Sequence, residues 1–207
     1  MSQAVIVVNT RSGEGQGQAH VLSRRLADRL HRRGIQARSI AFGNAGNGSS
    51  DWRDQLDALL TAGAERVYAL GGDGTVLAVA TALLGRDVAL GIVPLGTANL
   101  LARDLGMPLD PERAVETLIT AVPTRIDVGR VNGELFLCAS MLGLTTTLAR
   151  SREAARGAGP LQLWPRMARK TVALLKRYPY RRISIVVDDR TLTLRTRAMV
   201  VTNNPVT

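Results

Sequence analysis

Ala4-Val5-Ile6-Val7-Val8 is an uninterrupted apolar run, mostly β-branched, the pattern of a strand covered on both faces in a parallel sheet. Small and polar residues fill 9–17, and from 19 to 33 the apolar positions recur at helical spacing until Gly34. This alternation then repeats. Residues 35–42 predict a second strand, and 51–62 a helix that sets Trp52, Leu56, Leu59 and Leu60 near one face. Residues 66–70 predict a third strand, 76–84 a buried helix entered at Thr75, 88–94 a fourth strand and 100–105 a short helix. Asp110 and Pro111 read as the cap and first position of a helix reaching about Ala121. Strands alternating with helices over about a hundred residues imply an α/β fold with a parallel, right-handed sheet.

After Pro123 the texture changes. Residues 125–131 and 134–140, joined through Asn132-Gly133, predict an antiparallel hairpin, because Asn-Gly is the favoured two-residue turn. Residues 183–187 and 191–197, joined through Asp188-Asp189-Arg190, predict another, and 198–202 start a further strand. The pattern therefore divides the chain into an α/β domain, 1–122, and a β-rich domain, 123–207.

Three small-residue loops follow predicted strands: 9–17, Gly71-Gly72-Asp73-Gly74-Thr75, and Leu95-Gly96-Thr97-Ala98-Asn99. In a parallel sheet the ligand lies beyond the carboxyl ends of the strands, so the three can meet at one crevice. Glycines let backbone N–H groups approach a ligand closely, and a helix N-terminus in the second loop favours an anion. A phosphate site is the expectation. The first loop has neither the Lys-Ser/Thr ending of a Walker A motif nor dinucleotide-binding glycine spacing.

Charge and composition narrow the partners. The 207 residues carry 27 basic against 17 acidic side chains, a net +10 that attracts polyanions, membrane surfaces and phosphates. Aromatics make up 3%, too few for base-stacking platforms, and no nucleic-acid motif is present, so specific nucleic-acid binding is not expected. No apolar run reaches the roughly 18 residues of a membrane span, and the first residues lack a basic signal region. Cys138 is the single cysteine and reads as a small packed residue; the expectation is a cytoplasmic protein. Residues 150–182 are rich in arginine, and 163–178 have helical apolar spacing with Trp164, Met167, Val172 and Leu175. A solvated basic helix packed on its own domain and a peripheral contact with anionic lipid both fit this segment.

Gly71-Gly72-Asp73-Gly74-Thr75 together with Pro94-Leu95-Gly96-Thr97-Ala98-Asn99-Leu100-Leu101-Ala102-Arg103 resembles the diacylglycerol kinase catalytic family, which includes bacterial lipid kinases and the sphingosine and ceramide kinases. The first motif is shared with NAD kinases; the second narrows the resemblance to the lipid kinases. Asn9 to Gly17 looks like the family's first loop with Thr10 where proline is usual, and Ile126-Asp127-Val128-Gly129 resembles the start of its second domain. The resemblance implies an N-terminal nucleotide-binding domain followed by a β-sandwich-like domain, and transfer of the γ-phosphoryl of ATP to the hydroxyl of a diacylglycerol-like lipid at a membrane surface. It implies nucleotide contacts from Asn9, Ser12, Gly13, Gly71, Gly72, Gly74, Thr75, Gly96, Thr97 and Asn99. Asp73 and Asp127 would face Mg²⁺, through water, with Asp73 positioning metal and phosphate.

The family's general base is an acidic residue in a segment that follows the strand ending at Asn203-Asn204, beyond Thr207. The expectation is a C-terminally truncated chain with an incomplete second domain and poor turnover by itself. A kinase for NAD or another soluble alcohol, and a non-catalytic membrane- or nucleotide-binding protein, are the alternatives.

Overall fold

The computed structural model describes residues 2–12, 17–43, 51–143, 180–187 and 190–203. The helix expected over 163–178, nearly all of the basic segment 150–182, the turn residues Asp188 and Asp189, and Gly13 lie outside the described residues. The chain divides into two compact units, 1–138 and 139–207.

The first unit is an open parallel sheet. Strands β1 (Ser2–Val8), β2 (Ile35–Ala41), β3 (Ala64–Gly71) and β4 (Ala89–Pro94) stand in the order β2-β1-β3-β4. All three pairings are parallel, with Val5 opposite Arg38 on one side and Val67 on the other. Because successive side chains of a strand point to opposite faces, the β1 run feeds two cores at once. Ala4, Ile6 and Val8 join Tyr68, Leu70 and Val93 against Leu22, Leu26 and Leu30 of helix α1 (Gln18–His31) and Val115 and Leu118 of helix α5 (Pro111–Thr120). Val5 and Val7 join Val67, Ala69 and Ile92 against Trp52 and Leu56 of helix α2 (Trp52–Thr61) and Val76, Val79 and Leu83 of helix α3 (Asp73–Leu83). Helix α4 (Leu100–Asp104) adds Leu101 and Ala102 to this second core.

The helix ends follow the expected chemistry. Asp51 accepts from the amide of Arg53, and Asp110 from that of Arg113 with Pro111 at the first helical position. Helix α3 departs from expectation: it begins at Asp73, two residues before Thr75, with extended Gly72 as its N-cap. Asp73 and Gly74 thus belong to its first turn.

The hairpin at Asn132-Gly133 forms between β5 (Gly129–Val131) and β6 (Glu134–Phe136), and both turn residues have positive φ, 52° and 86°, as a type I′ turn requires. It is shorter than the pattern predicted. Residues 121–128 are irregular and exposed, and Leu135 and Leu137 are drawn into the α2/α3 core. That burial is why the first unit extends through Cys138 rather than ending near Pro123.

Residues expected to continue the hairpin instead form β7 (Ala139–Gly143) in the second unit, antiparallel to β10 (Ala198–Thr202). There β8 (Arg181–Val187) and β9 (Arg190–Thr196) make the other expected hairpin, with Ile183 opposite Leu194 and Ile185 opposite Leu192 on one face. This unit is strand-rich among its described residues.

Candidate functional site

The sheet order places β1 and β3 side by side while their following helices depart to opposite faces, α1 to one and α3 to the other. Such a switch point leaves a crevice at the carboxyl ends of the two strands. Asn9 enters it from β1, residues 71–75 from β3, and residues 95–99 from β4.

Asn9 is fixed at both ends. Its backbone N–H donates to Leu70 O at 2.9 Å, extending the ladder past the strand. Its side-chain Nδ2 donates to Thr75 Oγ1 at 2.8 Å, and its Oδ1 accepts the Arg11 amide at 3.1 Å. Thr75 is buried, so its hydroxyl ties the first loop to the first turn of α3. Ser12 closes the same turn, its amide donating to Asn9 O at 3.1 Å.

The second and third loops are joined through their backbones. Gly71 O accepts the Leu95 amide at 3.0 Å, and Thr75 fills the space beside the Gly71 Cα. A Cβ on Gly72 would stand 3.0 Å from the Gly96 Cα, and one on Gly96 would stand 2.6 Å from the Gly72 Cα, so a side chain at Gly96 would force the two loops apart and one at Gly72 would crowd them. Asn99 adopts the left-handed conformation, φ 48°, and clasps its own loop: its Oδ1 accepts the Gly96 amide at 2.9 Å and its Nδ2 donates to Gly96 O at 2.8 Å. That clasp leaves Asn99 unable to cap α4 with its side chain. Asp73 does so across the crevice, its Oδ1 accepting the Leu100 amide at 2.6 Å. Arg103 Nε donates to Ala98 O at 2.9 Å and completes the third loop.

At the mouth, Thr75 and Val76 are bonded back to Gly72 O, at 2.9 and 3.1 Å, while the amides of Asp73 and Gly74 precede the helical ladder. Gly74 is exposed, with open space where a Cβ would be. These amides and the positive end of α3 can receive an anion. Thr97 stands exposed at the tip of the third loop, and Asp127 is exposed in the stretch before β5.

The structure adds groups that the motifs did not mark. Asp104, at the end of α4, is hydrogen-bonded to Cys138, and Asp73 is close enough to act on the same thiol. Burial first, then the charge and hydrogen bond of Asp104, then the charge of Asp73, push the Cys138 thiol up to about 11. The spacing of Asp104 four residues after Leu100, at the end of a one-turn helix, was the available signal. A groove of about 380 Å³ runs from Gly74 along α3 past Leu77, Ala78 and Ala82, with Arg53, Asp57, Arg86 and Glu134 at its rim. Its signature was Gly74, Ala78 and Ala82 at intervals of four, which leaves one helix face without bulk.

No group of three or more His, Cys, Asp or Glu side chains gathers as a metal cluster among the described residues. Mg²⁺ fits a sparser donor set, because it keeps several waters and takes one or two carboxylates plus substrate phosphates. Asp73, with one oxygen on the Leu100 amide and the other uncommitted to it, suits that role.

Fold and site together define an open α/β protein whose switch-point crevice is built of glycine-rich loops and a helix N-terminus. Comparison with known proteins makes this specific: the sequence profile described as "Diacylglycerol kinase catalytic domain" matches residues 3–131, and the chain belongs to that family of kinases. It is 47% identical over 89 residues to "Probable lipid kinase YegS-like" of Pseudomonas aeruginosa PAO1, covering 42% of this chain and 29% of the relative. It is 34% identical over 121 residues to "Diacylglycerol kinase" of Mycobacterium tuberculosis H37Rv, covering 58% of this chain and 38% of the relative. The crystal structure of a diacylglycerol kinase from Bacillus anthracis Sterne superposes with a TM-score of 0.67 at 20% identity, covering 98% of this chain and 64% of that one. The matches thus span about a third of these curated relatives and under two thirds of the solved chain.

Proposed function

We propose that the chain carries the nucleotide-binding part of an ATP-dependent lipid kinase that passes the γ-phosphoryl group to the hydroxyl of a diacylglycerol-like lipid. The observation that carries this reading is the backbone junction of Gly72 with Gly96 at the switch point, which holds two amide-rich loops and the N-terminus of α3 at one crevice. Phosphoryl transfer depends on positioning and charge neutralisation more than on covalent chemistry, and such a rigid cradle supplies both. Family membership accounts for ATP as donor.

In this reading the amides of Asp73 and Gly74 receive the phosphates, and Gly96 and Thr97 border them from the third loop. Asn9, Ser12 and the buried Thr75 hold the first loop in register. The groove along α3 seats the nucleoside. Bound Mg²⁺ would neutralise phosphate charge. Asp73 and Asp127 would hold it through its waters, and Asp73, whose Oδ1 is engaged by the Leu100 amide, positions rather than deprotonates. The lipid is met at an anionic membrane surface, with the arginine-rich segment 150–182 as the contact; its described end shows Arg181 and Arg182 exposed. No described helix is long and apolar enough to cross a membrane.

Radiolabelled ATP offered with Mg²⁺ to vesicles of phosphatidylglycerol and diacylglycerol tests the reading. Label in the lipid is the expected result. Label in NAD or glycerol without vesicles would instead make this a kinase for soluble alcohols. Nucleotide binding without transfer to any acceptor by the full gene product would make it a non-catalytic binding protein.

A further inference from the structure

Four charged side chains rim the groove beside α3, and they are not equivalent. Arg86 and Asp57 neutralise each other at 2.9 Å. Arg53 lies over the Trp52 ring, 4.7 Å from its centroid, with Asp51 at 3.6 Å. Glu134, at the start of β6, has no side-chain hydrogen bond or ion pair among the described residues, and it is exposed at the rim. A carboxylate set against a site for a polyanion is unfavourable unless it faces the ligand's neutral part, and an ionised carboxylate can only accept hydrogen bonds.

The groove's geometry separates the parts of a nucleotide. Gly74 lies at the phosphate end, and Ala78 and Ala82 continue the floor for about 12 Å at 1.5 Å per residue. Leu77, Ala78 and Ala82 give that floor an apolar stripe, with the Thr81 hydroxyl spent on Leu77 O, and such a stripe suits the face of a base. A base laid on that floor with its phosphates at Gly74 would leave the ribose between the two, in the groove that Glu134 also lines. Resting on the nucleotide reading above, we infer that Glu134 accepts hydrogen bonds from the ribose hydroxyls and makes the site selective for ribo- over 2′-deoxyribonucleotides. Acidic side chains hold ribose hydroxyls in other α/β nucleotide sites by the same acceptor chemistry.

Titration calorimetry of the full chain with ATP, 2′-deoxyATP and purine riboside triphosphate, which lacks the 6-amino group, tests this in the wild type and in Glu134→Gln. The wild type should bind ATP roughly tenfold tighter than 2′-deoxyATP, the scale of one hydrogen bond to a charged acceptor. Glu134→Gln should narrow that gap to about twofold, leave the penalty for removing the 6-amino group unchanged, and melt at the wild-type temperature without nucleotide. An unchanged preference for ATP over 2′-deoxyATP in Glu134→Gln overturns the inference while leaving the nucleotide reading intact. So does a lost preference for the 6-amino group, which would turn Glu134 toward the base. Failure of the wild type to bind any of the three overturns both.

Discussion

A methyl group on Gly96 would lie 2.6 Å from the Gly72 Cα and 2.8 Å from Asn99 Oδ1, whereas one on Gly72 would meet Gly96 at 3.0 Å. Backbone cannot yield as a side-chain tip can, so Gly96→Ala should cost about 1–3 kcal/mol and Gly72→Ala less, read from urea midpoints. At Asp73 the structural and electrostatic roles separate. Asp73→Asn keeps an acceptor for the Leu100 amide and should retain stability while losing metal-dependent transfer; Asp73→Ala should lose about 1 kcal/mol as well. Calorimetric unfolding beside a transfer assay distinguishes the two. Cys138 offers a pH test. Its thiol is raised from 9.0 to about 11, so the folded state holds the proton more tightly than the unfolded chain does. The stabilising contribution is complete below pH 9 and is lost as pH rises toward 11. Alkylation by iodoacetamide should accordingly be slow at neutral pH and climb only in the same alkaline range.

Helices α1 and α5 lie together on one face of the sheet, and two kinds of contact join them. Arg25–Glu112 at 2.5 Å and Arg29–Glu116 at 2.7 Å are exposed ion pairs, while Leu26 is fully buried between helix and sheet. Glu112→Gln or Glu116→Gln should cost under about 1 kcal/mol, and less in high salt. Leu26→Ala should cost about 2–5 kcal/mol in the same denaturation series. Elements of this kind were legible in the sequence: the β-branched runs announced the strands, and Asn132-Gly133 its turn. The three glycine-rich loops were legible as candidates for one crevice. What joins them was not. The Asn99 clasp, the capping of α4 by Asp73 and the Asn9–Thr75 bond depend on neighbours distant in sequence, which a local pattern does not contain. The same reason hid the fate of Leu135 and Leu137: their spacing continued a strand, but the available burial lay under α3.

Across the whole molecule the net charge of +10 sets long-range behaviour. Adsorption to anionic vesicles should fall when ionic strength rises from about 0.1 M, where charges act over about 10 Å, to about 1 M, where they act over about 3 Å. Co-sedimentation at the two salts checks this, and retention at the higher salt would indicate apolar insertion instead. The Gly72–Gly96 junction bears on motion as well as on shape. Two loops whose backbones touch and share the Gly71–Leu95 and Asp73–Leu100 bonds cannot swing independently. Residues 71–75 and 95–100 should therefore respond to an incoming ligand as one stiff body, and a ligand seated on either loop should slow amide exchange on both.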